Sequence, residues 1–354
     1  MNSSTDEKMR VLVVKLTSMG DAIHLLPALT DLQAMRPEVK VDWMIEDSFH
    51  EIPGWHASVD RVIPVSTRRW RSLSLKNLRE FLAFVKLLRR EPYDVVIDAQ
   101  GLMKSAALGR FARLRQGGKR IGYSADCIKE KMAARFYRIR ISIPRGQHAI
   151  DRLRRLFAEA FDYPLPNDSP DYALAFAASA RQQKKPVVIF CHGTTWASKH
   201  LPDQHWRDLL QVVLKAGYTV KICWGSESEK RRAEWIAQNK ADVEVLPKLS
   251  LGALAQVLKA SDGVIAVDTG LGHLAAALGV PTASVYGATD ASLTGAVGDS
   301  QAWLQCHYHC SPCFLKECNK LTEDCPEPPC YQTLSAGDIW NALKRIIAEA
   351  APRL

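Results

Sequence analysis

Short runs of β-branched and other apolar residues recur along the chain and alternate with longer stretches of helical periodicity. In the first half, the predicted strands are 9–16, 39–45, 61–65 and 94–100, and amphipathic helices fit 75–90 and 148–161. In the second half, strands are predicted at 186–193, 218–225, 243–247, 263–270 and 282–287, and helices at 203–216, 226–239, 250–260, 271–278 and 336–350. Strands that alternate with helices predict an α/β fold of parallel sheets covered by helices.

A stretch rich in Pro and Asp, 162–172, separates the two series of elements. A chain of 354 residues is also long enough for two domains of roughly 100–200 residues each. The predicted division is an N-terminal domain 9–165, a linker region 166–185, a C-terminal domain 186–335 and a final helix 336–354. Because ligands of open parallel sheets bind at the carboxyl ends of the strands, we expect a cleft between the domains.

Composition narrows the class of protein. Hydrophobic residues make up 47% and charged residues 24% of the chain, which is typical of a globular protein and excludes disorder, collagen and coiled coil. No apolar run is long enough to predict a transmembrane helix, and the N-terminus does not resemble a secretion signal. We therefore expect a cytoplasmic protein.

Charge is distributed unevenly between the halves. Residues 1–180 contain 29 Lys and Arg against 21 Asp and Glu, and most of the net charge of +9 comes from them. A basic excess on one half predicts an anionic partner: a nucleic acid, phospholipid headgroups or an acidic small molecule.

The loop after the first predicted strand carries Gly20 and Asp21. Gly20 permits a tight turn, and Asp21 stands where a helix begins, so capping of that helix explains it without any function. The functional alternative is a carboxylate at the sheet edge that takes a proton from a substrate hydroxyl. The loop matches neither a dinucleotide-binding GxGxxG pattern nor a Walker A loop.

Several motifs in order along the chain carry a resemblance. They are S-M-G-D (18–21), D-V-V-I-D-A-Q-G-L-M-K-S-A (94–106), H-G-T-T-W-A-S-K-H-L-P (192–202), W-G-S-E-S-E (224–229), V-D-T-G-L-G-H-L-A-A-A-L (267–278) and V-Y-G-A-T-D (285–290). With these motifs, the sequence resembles glycosyltransferase family 9, the ADP-heptose:lipopolysaccharide heptosyltransferases. The first half is most similar to the heptosyltransferase I branch, which adds the first heptose to the Kdo residue of the inner core.

The resemblance implies a GT-B fold, with two facing Rossmann-like domains, and an enzyme that inverts the anomeric carbon of the transferred sugar. It implies that Asp21 is the general base that activates the acceptor hydroxyl, and capping of the helix by the same side chain is compatible with this role. It implies no metal or cofactor in the reaction.

The second half supplies the residues expected to bind the nucleotide-sugar donor, ADP-heptose. The hydroxyl groups and the ammonium after the strand 186–193 suit a diphosphate, Glu229 suits the hydroxyls of a ribose, and the V-D-T-G-L-G-H segment suits phosphate or heptose. The expected donor-binding residues are Thr194, Thr195, Lys199, Glu229, Asp268, Thr269, Gly270 and His273. For Glu229 and Asp268, helix capping is the simpler alternative, and Glu227 is a nearby competitor for the ribose.

Basic residues of the first half are expected to bind the acceptor, Kdo-lipid A, because arginine binds carboxylates and phosphates through two hydrogen bonds. The expected acceptor-binding residues are Arg68, Arg69, Arg71, Lys104 and Arg120. The Arg-rich stretch 135–145 is expected to face an anionic inner leaflet, which predicts a peripheral location at the cytoplasmic face of the inner membrane. For any single arginine among these, a solvated surface role is the simpler alternative.

Six of the nine cysteines crowd into residues 306–330. They are Cys306, Cys310, Cys313, Cys318, Cys325 and Cys330. Structural zinc held by four of them, reduced thiols that pack a loop, and a redox-sensitive disulfide are three alternatives that the spacing leaves open.

Three other functions compete with the heptosyltransferase hypothesis. One is a family 9 transferase that acts on a later core acceptor or uses a different nucleotide sugar. Another is a basic nucleic-acid-binding protein, which the absence of a recognised nucleic-acid module disfavours. The last is a nicotinamide-dependent oxidoreductase, which the missing glycine fingerprint disfavours.

Overall fold

The computed structural model describes residues 8–72, 74–176 and 185–350. The chain divides into two compact units, with the boundary between Ala175 and Phe176. This boundary falls inside the stretch 166–185 that the sequence marks as a linker. Residues 177–184 of that stretch, and the end of the last predicted helix at 351–354, lie outside the described residues.

The first unit contains a six-stranded parallel sheet in the order β3-β2-β1-β4-β5-β6. Its strands are β1 (Arg10–Val14), β2 (Lys40–Glu46), β3 (Val59–Val65), β4 (Tyr93–Asp98), β5 (Leu114–Tyr123) and β6 (Ile139–Ile141). Its helices are α1 (Met19–Met35), α2 (Leu75–Leu88), α3 (Met103–Arg110) and α4 (Ala149–Phe161). The central strand β1 is buried over four of its five residues, as expected of a parallel strand covered on both faces.

The second unit repeats this arrangement with the sheet order β12-β11-β10-β7-β8-β9, again fully parallel. Its strands are β7 (Val187–Cys191), β8 (Thr219–Ile222), β9 (Val243–Val245), β10 (Gly263–Val267), β11 (Thr282–Tyr286) and β12 (Gln301–Gln305). Its helices are α5 (Asp203–Lys215), α6 (Glu227–Ala237), α7 (Leu251–Lys259), α8 (Gly270–Ala277), α9 (Ala291–Thr294) and α10 (Ala336–Ala350). In both units the first strand lies next to the fourth, so the strand order reverses between them, as in doubly wound dinucleotide-binding folds.

The final helix α10 belongs to the core of the second unit. Its buried residues Ile339, Trp340, Leu343 and Ile346 pack into the same apolar cluster as Trp206 of α5. Among the described residues, no helix has the length and apolar character needed to cross a bilayer.

Candidate active site

Asp21 lies in the first turn of α1, which follows β1 after a short loop. One carboxylate oxygen, Oδ2, accepts a hydrogen bond of 2.6 Å from the backbone N–H of Ser18, the residue that caps the helix. The other, Oδ1, lies 3.3 Å from the ammonium of Lys15. The Asp21 side chain is nevertheless 41% exposed, whereas that of Lys15 is 8% exposed. The carboxylate therefore closes the helix end and still presents itself to solvent.

Two residues at the carboxyl end of β4, Asp98 and Gln100, hold the loop that carries Asp21. The side-chain oxygen of Gln100 accepts hydrogen bonds from the backbone N–H groups of Leu16 and Thr17, at 3.0 and 3.2 Å. The buried Asp98 in turn accepts the N–H of Gln100 at 2.9 Å and the hydroxyl of Tyr137 at 2.7 Å. Burial raises the pKa of Asp98 despite these donors. The loop is thus fixed from the neighbouring strand.

Three of the predicted acceptor-binding residues lie close together in the first unit. Nζ of Lys104, in the first turn of α3, donates to the Thr67 hydroxyl at 2.9 Å, and Thr67 donates to the buried carboxylate of Glu46 at 2.6 Å. Burial lowers the pKa of Lys104, and the guanidinium groups of Arg71 and Arg68 lower it further. We call Arg68, Arg71 and Lys104 the basic cluster; it suits an anionic ligand.

Arg69 and Arg120 have other partners. Arg69 pairs with Glu80 at 3.0 Å and donates to the Ser66 hydroxyl. Arg120 lies in β5, opposite Val96 of β4. Its guanidinium donates to the backbone carbonyls of Arg110 and Ala112. Through these two contacts Arg120 holds the backbone at the end of α3.

In the second unit, Asp268 follows β10 and lies at the centre of a buried polar cluster. Its Oδ2 is 2.6 Å from Nζ of Lys199 and accepts the hydroxyl of Thr289 at 2.5 Å. His273, one turn into α8, approaches Oδ1 at 3.9 Å through Nε2. Lys199 also lies 4.4 Å from the ring centre of Trp196. We call Asp268, Lys199, His273 and Thr289 the Asp268 cluster.

The electrostatics of this cluster favour an ionised aspartate. Burial on its own would raise the pKa of Asp268, but the hydrogen bond from His273 and the ammonium of Lys199 outweigh it and hold the pKa well below the ordinary range. An Asp268 anion can therefore fix the position of Lys199 at the carboxyl edge of the sheet.

Thr194 connects the Asp268 cluster to a cleft of about 700 Å³ in the same unit. Its hydroxyl donates to the backbone carbonyl of Asp268 at 3.0 Å, and it lines the cleft together with Glu229, Arg232 and His200. Glu229 accepts the N–H groups of Gly225 and Ser226 at 2.7 and 3.1 Å, so it also caps α6. Sequence analysis predicted both Thr194 and Glu229 for one ligand, and the structure brings them to one cleft.

Close packing explains why glycine precedes Thr194. A Cβ atom at Gly193 would lie 2.5 Å from Oε1 of Glu229, so a larger residue there would displace the carboxylate. The other predicted donor-binding residues lie nearby in sequence but differ in surroundings. Thr195 is exposed, and Thr269 stands at the N-cap position of α8, directly before Gly270, without a capping hydrogen bond from its side chain.

Arg232 and His192 are two residues that the sequence reasoning missed. Arg232 of α6 donates to Asp203, to the Leu201 carbonyl at 2.5 Å and to the His192 carbonyl at 3.2 Å, and so holds one side of the cleft. The His192 ring is fully buried, and this burial, with the Arg232 charge, lowers its pKa to about 3. Arg232 follows Glu229 by one helical turn and so lies on the same face of α6, and this spacing could have identified it.

The cysteine-rich segment forms part of the second unit. All six of its cysteines are free thiols, Cys306 and Cys330 are buried in the core, and Cys318 lines the 700 Å³ cleft. A hydrogen bond with Cys330, together with burial, raises the pKa of Cys306. Among the described residues, which include all six cysteines, no group of three or more His, Cys, Asp or Glu is arranged to hold a metal ion.

Comparison with known proteins identifies the family. The sequence profile of Glycosyltransferase family 9 (heptosyltransferase) matches residues 81–322. Lipopolysaccharide heptosyltransferase 1 of Pseudomonas aeruginosa is 47% identical over 315 residues, which are 88% of this chain and 87% of that protein. The similarity to heptosyltransferase I expected from the motifs is thus confirmed.

Solved structures agree with this result. The structure of Escherichia coli heptosyltransferase WaaC with ADP superposes with a TM-score of 0.82 at 41% identity and covers 97% of this chain and 100% of that one. The same enzyme with ADP-2-deoxy-2-fluoro heptose gives a TM-score of 0.80 at 40% identity, with 97% and 100% coverage. These matches, with the two parallel sheets, confirm the predicted α/β fold class of the GT-B type. The chain belongs to glycosyltransferase family 9, the heptosyltransferases, and is a glycosyltransferase.

Proposed function

We propose that the chain transfers L-glycero-D-manno-heptose from ADP-heptose to the Kdo residue of Kdo-lipid A, with inversion at the anomeric carbon. The observation that carries the proposal is the Thr194–Glu229 cleft next to the Asp268 cluster, in a chain that is similar to heptosyltransferases solved with ADP and with an ADP-heptose analogue. The reaction is a single displacement: the acceptor oxygen forms the new bond to the anomeric carbon as the bond to ADP breaks.

Asp21 is the proposed general base. The acceptor hydroxyl must lose its proton as it attacks, and a carboxylate exposed at a sheet edge can take that proton. Lys15 and the Ser18 N–H hold the Asp21 carboxylate in place from one side. No covalent intermediate and no metal ion is needed for this step, since the base and a stabilised leaving group suffice.

The second unit is proposed to bind the donor and stabilise the departing ADP. The Lys199 ammonium would contact the diphosphate, with Thr194, Thr195 and the backbone before α8 at Thr269 and Gly270 as further donors of hydrogen bonds. Glu229 would bind the ribose hydroxyls. Asp268 and His273 would hold Lys199 and contact the heptose. Charge that develops on ADP in the transition state is then offset by a lysine whose position is already fixed.

The first unit is proposed to bind the acceptor. The basic cluster of Arg68, Arg71 and Lys104 suits the carboxylate of Kdo and the phosphates of lipid A. Arg69 would assist through its position beside the cluster, and Arg120 would act by holding α3. Because this acceptor is a membrane lipid, the proposal also places the enzyme at the cytoplasmic surface of the inner membrane.

The test is transfer of heptose from ADP-heptose to Kdo-lipid A by the wild type, Asp21→Asn and Asp21→Ala. We expect the two variants to remain folded and to lose about 10²–10⁴-fold in kcat, the usual contribution of a general base. Ser250→Ala is the matched control, because it removes a helix cap, that of α7, without removing a carboxylate. It should lose about 1 kcal/mol of stability and keep its kcat.

Two outcomes would contradict parts of this proposal. Full activity of Asp21→Asn would show that the residue is only a cap. A wild type that is stabilised against heat by ADP-heptose but transfers heptose only to a later core acceptor would retain the donor assignment and overturn the Kdo assignment.

A further inference from the structure

Helix α2 exposes a row of leucines to solvent. Leu75, Leu78 and Leu82 are 77%, 54% and 57% exposed. They are three and four residues apart, so they lie on one face of the helix. Three large apolar side chains in one row on a helix form an exposed patch that requires an explanation, unlike single exposed leucines.

The row is not the core-facing side of the helix. The opposite face of α2 supplies Asn77, Phe84 and Leu88, which are buried, and the last two belong to the core of the first unit. Phe81 packs against Trp70 and extends this buried side. One face of α2 is therefore already packed against the core of the first unit. The leucines on the other face indicate a second binding partner.

The surroundings of the leucines are strongly basic. Segment 68–90 contains eight exposed Lys and Arg residues and a single acidic residue, Glu80, which pairs with Arg69 at 3.0 Å. The eight are Arg68, Arg69, Arg71, Lys76, Arg79, Lys86, Arg89 and Arg90. Arg79 and Lys86 each follow a leucine of the row by four residues and so share its face.

We propose that α2 is the docking surface of this enzyme for an anionic phospholipid bilayer. The leucines would enter the boundary between headgroups and acyl chains, and the surrounding cations would contact the lipid phosphates. An anionic bilayer is the occupant that matches both features of this surface, because it offers phosphates to the cations and an apolar interior to the leucines. A second copy of the chain fits poorly, since eight cations would meet eight cations.

A second basic segment serves as a comparison. The stretch 135–145 is also rich in arginine, but Tyr137, Ile141 and Ile143 are buried there, and Phe136 and Ile139 are only partly exposed. It offers charge without a row of large exposed apolar side chains, so it can assist attraction to a bilayer, whereas insertion is proposed for α2.

This inference deepens the proposed function and rests on it for the choice of a lipid surface. Arg68 and Arg71 of the basic cluster lie in the short connection that leads from β3 into α2. Docking of α2 would therefore hold the basic cluster beside the headgroup region, where a lipid-linked acceptor presents its sugar.

The experiment is co-sedimentation of the full chain with vesicles of phosphatidylcholine alone or mixed with phosphatidylglycerol. The wild type is expected to sediment with the mixed vesicles and to remain in the supernatant when only neutral vesicles are present. The variant Leu75→Gln/Leu78→Gln/Leu82→Gln should lose at least about tenfold in binding, whereas the same three positions changed to Met should keep it. Circular dichroism and thermal melting establish that each variant is folded.

Two triple variants that each remove three positive charges test the role of the cations near the leucines. Lys76→Gln/Arg79→Gln/Lys86→Gln should weaken binding by about fivefold per charge removed. The control Lys215→Gln/Lys344→Gln/Arg345→Gln removes three exposed charges from the second unit and should bind like the wild type. Equal losses in these two variants would overturn the proposal in favour of a net-charge effect.

The remaining outcomes are equally decisive. Vesicle binding that is unchanged by the Leu→Gln variant, or a wild type that binds neither kind of vesicle, overturns the proposal. So does a wild-type dimer in light scattering that the Leu→Gln variant converts to a monomer, because the row is then an interface between copies. None of these readouts measures heptose transfer, so failure here is distinct from failure of the proposed function.

Discussion

Each unit of the chain has an aspartate paired with a lysine at the carboxyl end of its sheet. In the first unit, Oδ1 of Asp21 lies 3.3 Å from Nζ of Lys15, and the aspartate is 41% exposed while the lysine is buried. In the second, Oδ2 of Asp268 lies 2.6 Å from Nζ of Lys199, and the aspartate is 8% exposed while the lysine is 15% exposed. The more accessible partner is thus the aspartate in the first unit and, by a smaller margin, the lysine in the second.

This reversal matches the two chemical tasks that we propose. A general base must be reached by the acceptor hydroxyl, so its carboxylate is exposed and its lysine is hidden beneath it. A cation that receives a diphosphate must be reached by the donor, so its ammonium is more accessible than the carboxylate that fixes it. Under this proposal, the same pair of residue types acts on the acceptor in one unit and on the donor in the other.

Stability should separate the two aspartates most clearly. Asp268→Ala leaves the Lys199 charge without its buried partner and should cost about 3–5 kcal/mol of unfolding free energy. Asp21→Ala removes a half-exposed capping carboxylate and should cost only about 0.5–2 kcal/mol. Urea denaturation of both variants measures this difference. Equal losses would show that exposure does not distinguish the pairs.

The double variant Lys199→Met/Asp268→Leu sharpens this test. Replacing both partners of a buried pair by apolar residues of similar size removes the unpaired charge. It should therefore recover a large part of the stability that Asp268→Ala loses. It should not bind the donor, because the Lys199 ammonium is absent from this variant.

Acid should destabilise the edge of the second unit through His192. Its pKa is lowered to about 3 by burial, so below about pH 6.5 the unfolded chain binds a proton that the folded chain does not. Stability then falls as the pH drops through this window, by about 1.4 kcal/mol per pH unit. His192→Phe should lose this part of the slope in unfolding experiments at about pH 6 and about pH 4.

His50 provides the control for this pH dependence. His50 is exposed in the first unit, and His50→Gln shows what the substitution of an exposed histidine does to the same measurement. A slope for His192→Phe as steep as that of the wild type would contradict the role of the buried ring.

Much of this architecture could be predicted from the sequence. The buried strands β1, β7 and β10 read as apolar runs, because a strand covered on both faces needs apolar residues throughout. The strands β5, β6 and β12 were missed, and β6 has only three residues, which are too few for a recognisable pattern. β5 contains two glycines and several charges over its exposed half, and β12 places Trp303 in solvent, so neither shows the apolar pattern of a core strand.

The site could be predicted only in part, because motifs name residues but not partners. Asp268, Lys199 and Glu229 were recognised from their motifs, yet nothing in the sequence indicated that Lys199 binds Asp268 across 69 positions. Arg120 was grouped with the other basic residues by charge alone. Its partners are backbone carbonyls, which sequence cannot reveal.

Donor affinity should distinguish Glu229 from its neighbour Glu227. Glu229→Gln keeps the helix cap, since glutamine can occupy the same position of a capping box. It loses a charged hydrogen-bond acceptor in the cleft, so the KM for ADP-heptose should rise about tenfold with little change in melting temperature. Glu227→Gln is the matched control on the exposed first position of α6 and should leave KM unchanged. Equal effects would remove Glu229 from the ribose site.

The smallest expected effect concerns the acceptor. Lys104→Met and Arg71→Gln should each raise the KM for Kdo-lipid A severalfold, because each removes one partly solvated cation from the basic cluster. Arg120→Gln is the comparison within the same unit. It should lower the melting temperature, since Arg120 holds the end of α3 through carbonyl contacts, and leave the acceptor KM unchanged. If Arg120→Gln instead raised KM as much as Lys104→Met, the acceptor would extend along β5, and Arg120 would belong to its binding site.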